Sequence, residues 1–410
     1  MINHDISGKL KKLMSKYISV VMAVAGLLWP AAVSAQAERG YEIERDMPLF
    51  LDSLKTEFTY PMAWGHNDIT DFDQWRSAAK AKLAEEMLLP PPRSEAYDIK
   101  IIGEEKRDGY TAYKIEFNLT KYSRVKAYLL VPDGKGPHPG IVALHDHGAH
   151  FTIGKEKMVR PFGVDQAVLD DSDAWADNLY EGQYVGDYLA RNGYAVLSTD
   201  ALMWGERGCK EGSDNTHLAS VAGNMQLLGR NLAAWMTYED TYATEFLASL
   251  PEVDKDRIGC TGLSMGGYRT FMLAAVSPLI KASVGVCWMT TQDAMMDWKY
   301  GRHERGGFAN NLGGVFAQLD YPHIASLACP NAMMLINGET DKLFKPHAVR
   351  QCYATMHDVW DSQGVGDRLE THLLPQGHEM PKGVQAMTLE FLDRFLKKIA
   401  EKFAGFRIKY

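Results

Sequence analysis

The sequence predicts an α/β fold: a mostly parallel, doubly wound sheet with an antiparallel N-terminal edge and helices on both faces. Three observations predict it. From Pro137 onward, short apolar runs of strand length alternate with longer helical patterns, the signature of parallel sheets. Before Pro137, three consecutive segments alternate polar and apolar residues with only tight turns between them, as antiparallel strands do. Within the alternating part, Gly262-Leu263-Ser264-Met265-Gly266 joins an apolar run directly to a helical pattern.

Along the chain, residues 36–95 read as a helical prelude, with patterns near Met47–Lys55 and Asp71–Met87 closed by Pro90-Pro91-Pro92. Tyr97–Glu105, Tyr110–Phe117 and Ser123–Val131 are the edge strands. Ile141–Leu144, a helix near Gly182–Asn192, Ala195–Thr199 and a long helix near Leu227–Leu250 come next. The elbow strand Arg257–Thr261 follows, then Ala282–Val286, Ala332–Asn337 and Glu370–Leu374, and a helix over about Gly383–Phe403 ends the chain. The stretch 288–325, a long insertion after a strand, is expected to cover the site. Residues 96–410 therefore form one catalytic-sized domain.

Ser264 is the candidate nucleophile. A serine on a strand-to-helix turn presents its hydroxyl at the strand end, and the flanking positions must be almost free of side chain for the chain to pass. Its partners follow in the order acid, then histidine. Asp341 lies in the loop leaving Ala332–Asn337, and His378 lies on Pro375-Gln376-Gly377-His378 just before the last helix. His378 is read as general base then acid, and Asp341 as the group that orients the imidazole and stabilises its cation. Glu339, Asp293 and Asp297 compete for the acid role; His372, His357 and His347 read as strand or surface histidines.

Acyl transfer also needs donors for an oxyanion. The Met265 amide is one candidate, and the loop His145-Asp146-His147-Gly148-Ala149-His150 supplies the other, the His147 amide with Gly148 as the near alternative. The same loop supports a competing reading, a zinc cluster of His145, His147 and His150. The metal pattern it resembles needs an aspartate where Ala149 stands, and that reading leaves the serine unexplained. No metal or organic cofactor is expected.

Ala143–Gly148, Ser198–Arg207 and Gly262–Arg269 together resemble the dienelactone-hydrolase and acetyl-xylan-esterase-like branch of the α/β-hydrolases. The resemblance covers about Tyr97–Tyr410 and implies the α/β-hydrolase fold. Exported members of this pattern are similar to carbohydrate esterases of gut Bacteroidota, including pectin methylesterases. That implies hydrolysis of ester groups on plant polysaccharide, without separating uronate methyl esters from acetyl groups.

A hint toward the methyl ester comes from cations. Arg269 follows Ser264 by about one and a half helical turns, Arg207 lies on a loop expected to border the cleft, and Arg302 and Arg305 lie in the cover. Arginines near the nucleophile suit a carboxylate-rich substrate; the alternative is that Arg207 and Arg269 are structural partners of nearby acids. Trp204, Trp288 and Trp298 are candidates for stacking on sugar rings or for the core.

Lys9, Lys11, Lys12 and Lys16 precede an apolar run over Tyr17–Leu28, and Val33-Ser34-Ala35 offers a cleavage site, which reads as a secretory leader over 1–35. Export to the periplasm or beyond follows, with no membrane anchor after cleavage. Cleavage leaves 375 of the 410 residues and takes the net charge from −8 to −11 by removing the leader's net +3. No basic stripe survives, which excludes nucleic acid as a partner. Five cysteines in so long a chain make no disulfide framework. Within the reading of a secreted carbohydrate esterase, an acetyl esterase on xylan or pectin is the alternative to one acting on methyl esters of galacturonate in pectin; outside it stand a prolyl-oligopeptidase-like serine peptidase and a non-catalytic glycan binder. The short prelude leaves no room for the propeller such peptidases carry.

Overall fold

The computed structural model describes residues 50–296 and 307–397. The expected leader, Asp297, Trp298, Arg302 and Arg305 lie outside the described residues. The chain divides into two compact units, Met1–Glu57 and Phe58–Tyr410. In the first, the described structure includes the short helix α1 (Phe50–Lys55).

The second unit is built on a nine-stranded sheet ordered β1-β2-β3-β5-β4-β6-β7-β8-β9. The strands β1 (Lys100–Arg107), β2 (Tyr110–Thr120) and β3 (Ser123–Pro132) are the antiparallel edge, and β3 also pairs antiparallel with β5 (Ala195–Thr199). Beyond β5 the ladder is parallel: β4 (His138–Leu144), β6 (Val253–Leu263), β7 (Ile280–Val286), β8 (Ala332–Gly338) and β9 (Leu369–Leu374). The chain runs from β4 to β5 on one side and then returns to place β6 on the other side of β4. That reversal opens a crevice at the carboxyl ends of β4 and β6, where ligands of open α/β sheets bind. Ser264 ends one of these strands and the 145–150 loop leaves the other.

Helices cover both faces. On one face α2 (Phe72–Glu86), α6 (Leu232–Ser249), α7 (Met265–Val276), α9 (Tyr321–Ser326) and α10 (Pro346–Ser362) share a core that includes Trp75, Phe246, Phe271 and Trp360. On the other, α4 (Val185–Arg191) and α11 (Lys382–Leu392) pack Leu189, Val384 and Phe391 against Ile141 and Val284. Each such buried side chain contributes about 1.5–3 kcal/mol. A third cluster, Phe151, Trp204, Leu218, Met236 and Met265, lies around the strand ends.

Three departures from the sequence reading have local causes. The long helix expected over Leu227–Leu250 is two, α5 (Asn215–Leu227) and α6. Gly229 takes φ +67, which ends the first, and Asn231 caps the second by accepting the Ala234 N–H at 3.0 Å. A helix that the sequence did not announce, α3 (Gln166–Tyr180), precedes α4. Its acidic composition hid a buried edge of Ser172, Ala176 and Tyr180. The insertion after β7 begins with one helical turn, α8 (Gln292–Met295), and ends in α9. The five cysteines are unpaired, and among the described residues no helix is long and apolar enough to cross a membrane.

The tightest packing is backbone on backbone. A Cβ at Gly266 would lie 2.0 Å from the Leu144 carbonyl oxygen. Gly266→Ala is therefore expected to destabilise the fold by about 3 kcal/mol, the upper end of what overpacking costs. Gly383→Ala, on an exposed helical site with open space around it, should instead be neutral or gain up to about 1 kcal/mol. Chemical unfolding followed by circular dichroism checks both, and equal stabilities would contradict the clash.

Candidate active site

Ser264 sits at φ 57°, ψ −121°, between β6 and α7. An L-residue there is strained, and the surrounding bonds hold it. Its N–H donates to the Val286 carbonyl at 2.8 Å, and its own carbonyl accepts the Tyr268 N–H at 3.0 Å. Glycines at 262, 266 and 267 are required by space rather than by backbone angle. A Cβ at Gly262 would meet the Leu144 oxygen at 2.2 Å, and one at Gly267 the Val286 oxygen at 2.7 Å. The elbow is thus clamped between the ends of β4 and β7, with the Ser264 side chain partly exposed.

Asp341 and His378 meet across the next two loops. His378 Nδ1 and Asp341 Oδ2 are 2.7 Å apart, with the carboxylate side chain fully buried and the imidazole 22% exposed. The other carboxylate oxygen accepts the Leu343 N–H at 2.8 Å, so both oxygens are fixed. The two loops are stitched by backbone bonds from Glu339 to Leu374 and from Thr340 to Gln376. Gly338 permits this approach, since a Cβ there would lie 2.3 Å from the Gly377 oxygen. Of the competing acids, Glu339 pairs with Arg350 at 2.7 Å and Asp293 is exposed on α8. Of the competing histidines, His357 bonds Thr371, His372 lies 3.6 Å from Glu370, and His347 is exposed.

Cys287, which in sequence reads as a buried small hydrophobe, is a neighbour of this pair. It ends β7 at φ +53, and its sulfur lies 3.7 and 3.6 Å from the carbonyls of Gly377 and Glu379, the two residues flanking His378. Burial pushes the thiol up to about 12, so it stays protonated and can donate to those carbonyls. Among the described residues, Cys287, Asp341 and His378 bring metal-competent atoms within 4.8 Å of one another. The 2.7 Å pairing of His378 with Asp341 already accounts for two of the three.

The 145–150 histidines do not converge. His145 is fully buried, with Nδ1 on the Asp146 carbonyl at 2.8 Å and Nε2 accepting the Ala201 N–H at 2.9 Å. His150 bonds Asp171 and stacks on Trp175 at 4.6 Å. His147 accepts the Ala149 N–H at Nδ1, 2.9 Å away, and packs edge-on against Trp204 and Phe151. The loop backbone is held from below by charge. Lys157 Nζ donates to the carbonyls of Asp146 and His147, each at 3.1 Å. Asp146 in turn accepts from Tyr180 and Trp175. Beside it Lys155 pairs with Glu156, Asp200 and Glu206. Those three carboxylates hold its ammonium well above the usual range despite burial, whereas burial lowers Lys157. A Lys-Glu-Lys run reads in sequence as a solvated face, so nothing local announced these lysines.

The structure places the expected sugar-binding residues largely inside the fold. Arg207 is bonded through both terminal nitrogens to Glu239, each at 2.7 Å. Arg269, 1% exposed, is forked onto Asp240 at 2.9 and 2.6 Å. Trp288 is 2% exposed among Tyr268, Tyr321 and Phe344. Trp204 is fully buried, with its indole N–H on the His147 carbonyl. Both guanidiniums are thus engaged by carboxylates of the fold. Arg302 is outside the described residues.

A serine on a clamped strand-to-helix turn, a histidine–aspartate pair on the later strand ends and this sheet order define an α/β-hydrolase. The chain belongs to the Abhydrolase family, which it matches over residues 43–376. It is 24% identical over 320 residues to YtaP of Bacillus subtilis (strain 168), a protein named as a hydrolase, covering 78% of this chain and 99% of that one. Solved structures share the fold. One from Bacteroides fragilis, named for an acetyl xylan esterase, has a TM-score of 0.64 at 17% identity, covering 87% of this chain and 93% of that chain. A glucuronoyl esterase from Solibacter usitatus gives 0.58 at 14% identity, over 82% and 97%. The methylesterase BT1017 gives 0.55 at 16%, over 85% and 68%.

Arg269→Met leaves Asp240 buried and unpaired, and is expected to cost about 3–5 kcal/mol of stability. The folded fraction should keep the wild-type KM. A raised KM with unchanged stability would return Arg269 to the substrate site.

Proposed function

We propose that this protein is a serine esterase acting on ester groups of plant cell-wall polysaccharide, with Ser264, His378 and Asp341 as its triad. The observation that carries the reading is the 2.7 Å pairing of the buried Asp341 carboxylate with His378, at the same end of the sheet as the strained Ser264. Ser264 Oγ attacks the ester carbonyl while His378 Nε2 takes its proton, and Asp341 stabilises the imidazolium through Nδ1. The alcohol leaves with that proton, and water then cleaves the acyl-enzyme by the same route. The Met265 amide, at the positive end of α7, is one donor to the oxyanion. The remaining donor comes from the 145–150 loop. The lysine-led apolar leader supports export.

Within this class we take the substrate to be a methyl ester of galacturonate in pectin. With Arg207 and Arg269 committed to Glu239 and Asp240, their charge no longer supports a uronate. What supports it is the resemblance of the sequence motifs to pectin methylesterases, together with the fold shared with a methylesterase and a glucuronoyl esterase. The shared fold with an acetyl xylan esterase favours deacetylation as the second reading.

Highly methylated pectin assayed for methanol, beside acetylated xylan and pectin assayed for acetate, separates the two. Methanol release by the wild type, lowered about 10⁴-fold or more in Ser264→Ala, is the expected result. Acetate alone would make the protein a deacetylase, and an active Ser264→Ala would overturn the triad.

A further inference from the structure

The 145–150 loop holds one polar atom that the fold leaves unused. His147 is 7% exposed, and its Nε2 is buried without a hydrogen-bond partner among the described residues. Its other ring nitrogen accepts the Ala149 N–H at 2.9 Å. An imidazole nitrogen that accepts carries no proton, so the ring proton of the neutral form must sit on Nε2. Burial and the nearby Lys157 ammonium push the ring down to about 4, so at neutral pH His147 is an uncharged donor. It is neither a base nor a cation.

The residue is also immobilised on every other side. Its carbonyl accepts from Lys157 and from the Trp204 indole, at 3.1 and 3.2 Å. Its ring is wedged against Trp204 and Phe151, with centroids 4.9 and 5.3 Å away. Both aromatics belong to the cluster that contains Met265, the residue after Ser264. The loop begins where β4 touches the elbow, with the His145 carbonyl carbon 3.2 Å from a Cβ placed on Gly266. A buried donor left unsatisfied costs about 1–3 kcal/mol. A donor held in this way, on a loop that starts against the elbow, fits an acceptor that arrives with the substrate.

We propose that the Nε2–H of His147 is the second donor to the tetrahedral oxyanion, so that this loop works through a side chain instead of the amide expected from sequence. This rests on Ser264 being the nucleophile. A neutral imidazole donates to the growing negative charge without having to give up its proton, and it needs no reorganisation when the charge forms. No covalent step is added: the hydrogen bond strengthens as the carbonyl becomes tetrahedral and relaxes when the acyl-enzyme forms.

The test compares three variants with the wild type on one ester, with melting temperatures measured alongside. His147→Leu removes the donor and keeps the bulk. His147→Asn keeps an acceptor for the Ala149 N–H but has nothing at the Nε2 position. His147→Gln returns an amide N–H close to that position. The expected result is a fall in kcat of about 100- to 1000-fold in Leu and Asn, with KM within threefold. At least a tenfold recovery is expected in Gln. Labelling Ser264 with an activated phosphonate, whose charged oxygen stands for the oxyanion, should slow in parallel. Leu or Asn within threefold of wild type, or Gln as impaired as Leu at equal stability, would overturn the proposal and leave the ring a packing element. Ser264→Ala run beside them separates the two readings. If it stays active the nucleophile assignment fails, whereas an inactive Ser264→Ala with an active, folded His147→Leu removes the His147 role alone.

Discussion

The ends of three neighbouring strands approach so closely at the elbow that no side chain fits between them, and most of the site follows from this. The Leu144 oxygen occupies the space in which Gly262 and Gly266 would carry a Cβ, and the Val286 oxygen does the same at Gly267. The turn between β6 and α7 is therefore pressed against β4 on one side and β7 on the other. Ser264 accepts a positive φ because its N–H and carbonyl are both bonded into that packing. Strain of this kind persists only where neighbouring structure over-determines it. The arrangement also sets the distance from Ser264 to the 145–150 loop, because that loop starts at the strand the glycines touch.

A second layer of control is electrostatic and buried. Lys155 and Lys157 have no exposed side-chain surface, and their removal from water is offset only because carboxylates and carbonyls surround them. Lys155 gathers Glu156, Asp200 and Glu206, while Lys157 ties down Asp146 and His147. Removing one partner from such a network would leave a buried charge uncompensated, so the loop depends on the network being complete. Arg207–Glu239 and Arg269–Asp240 are the equivalent beneath the helical layer. In this molecule Arg207 and Arg269 are tied into the framework, and the mean acidity of the chain is no guide to which cations are paired.

Much of the fold was legible because its signals are local. The β-strands declared themselves by apolar runs and alternation, and all nine were placed within a few residues, with β1 beginning at Lys100 where Tyr97 was expected. The helices were less legible. Gly229 and Asn231 split a pattern that hydrophobicity alone joined. Helix α3 escaped notice because its four aspartates break up the apolar positions, although Ala176 and Tyr180 are buried and Trp175 and Leu179 pack beside them. In the site, the elbow and the pairing of His378 with Asp341 were readable from loop positions after predicted strands. The choice of Asp341 over Glu339 was decided by which carboxylate the stitched loops carry inward.

The sequence by itself determined the strand–helix alternation, the glycine-flanked Ser264 and the order of acid and histidine, since each is written within a few consecutive residues. Tertiary structure alone decided what each polar group faces. Whether Arg269 meets Asp240, and whether Cys287 lies beside His378, depend on segments far apart in the chain. Charge and hydrogen bonding act over a few ångströms of space, and no spacing along one chain encodes that distance.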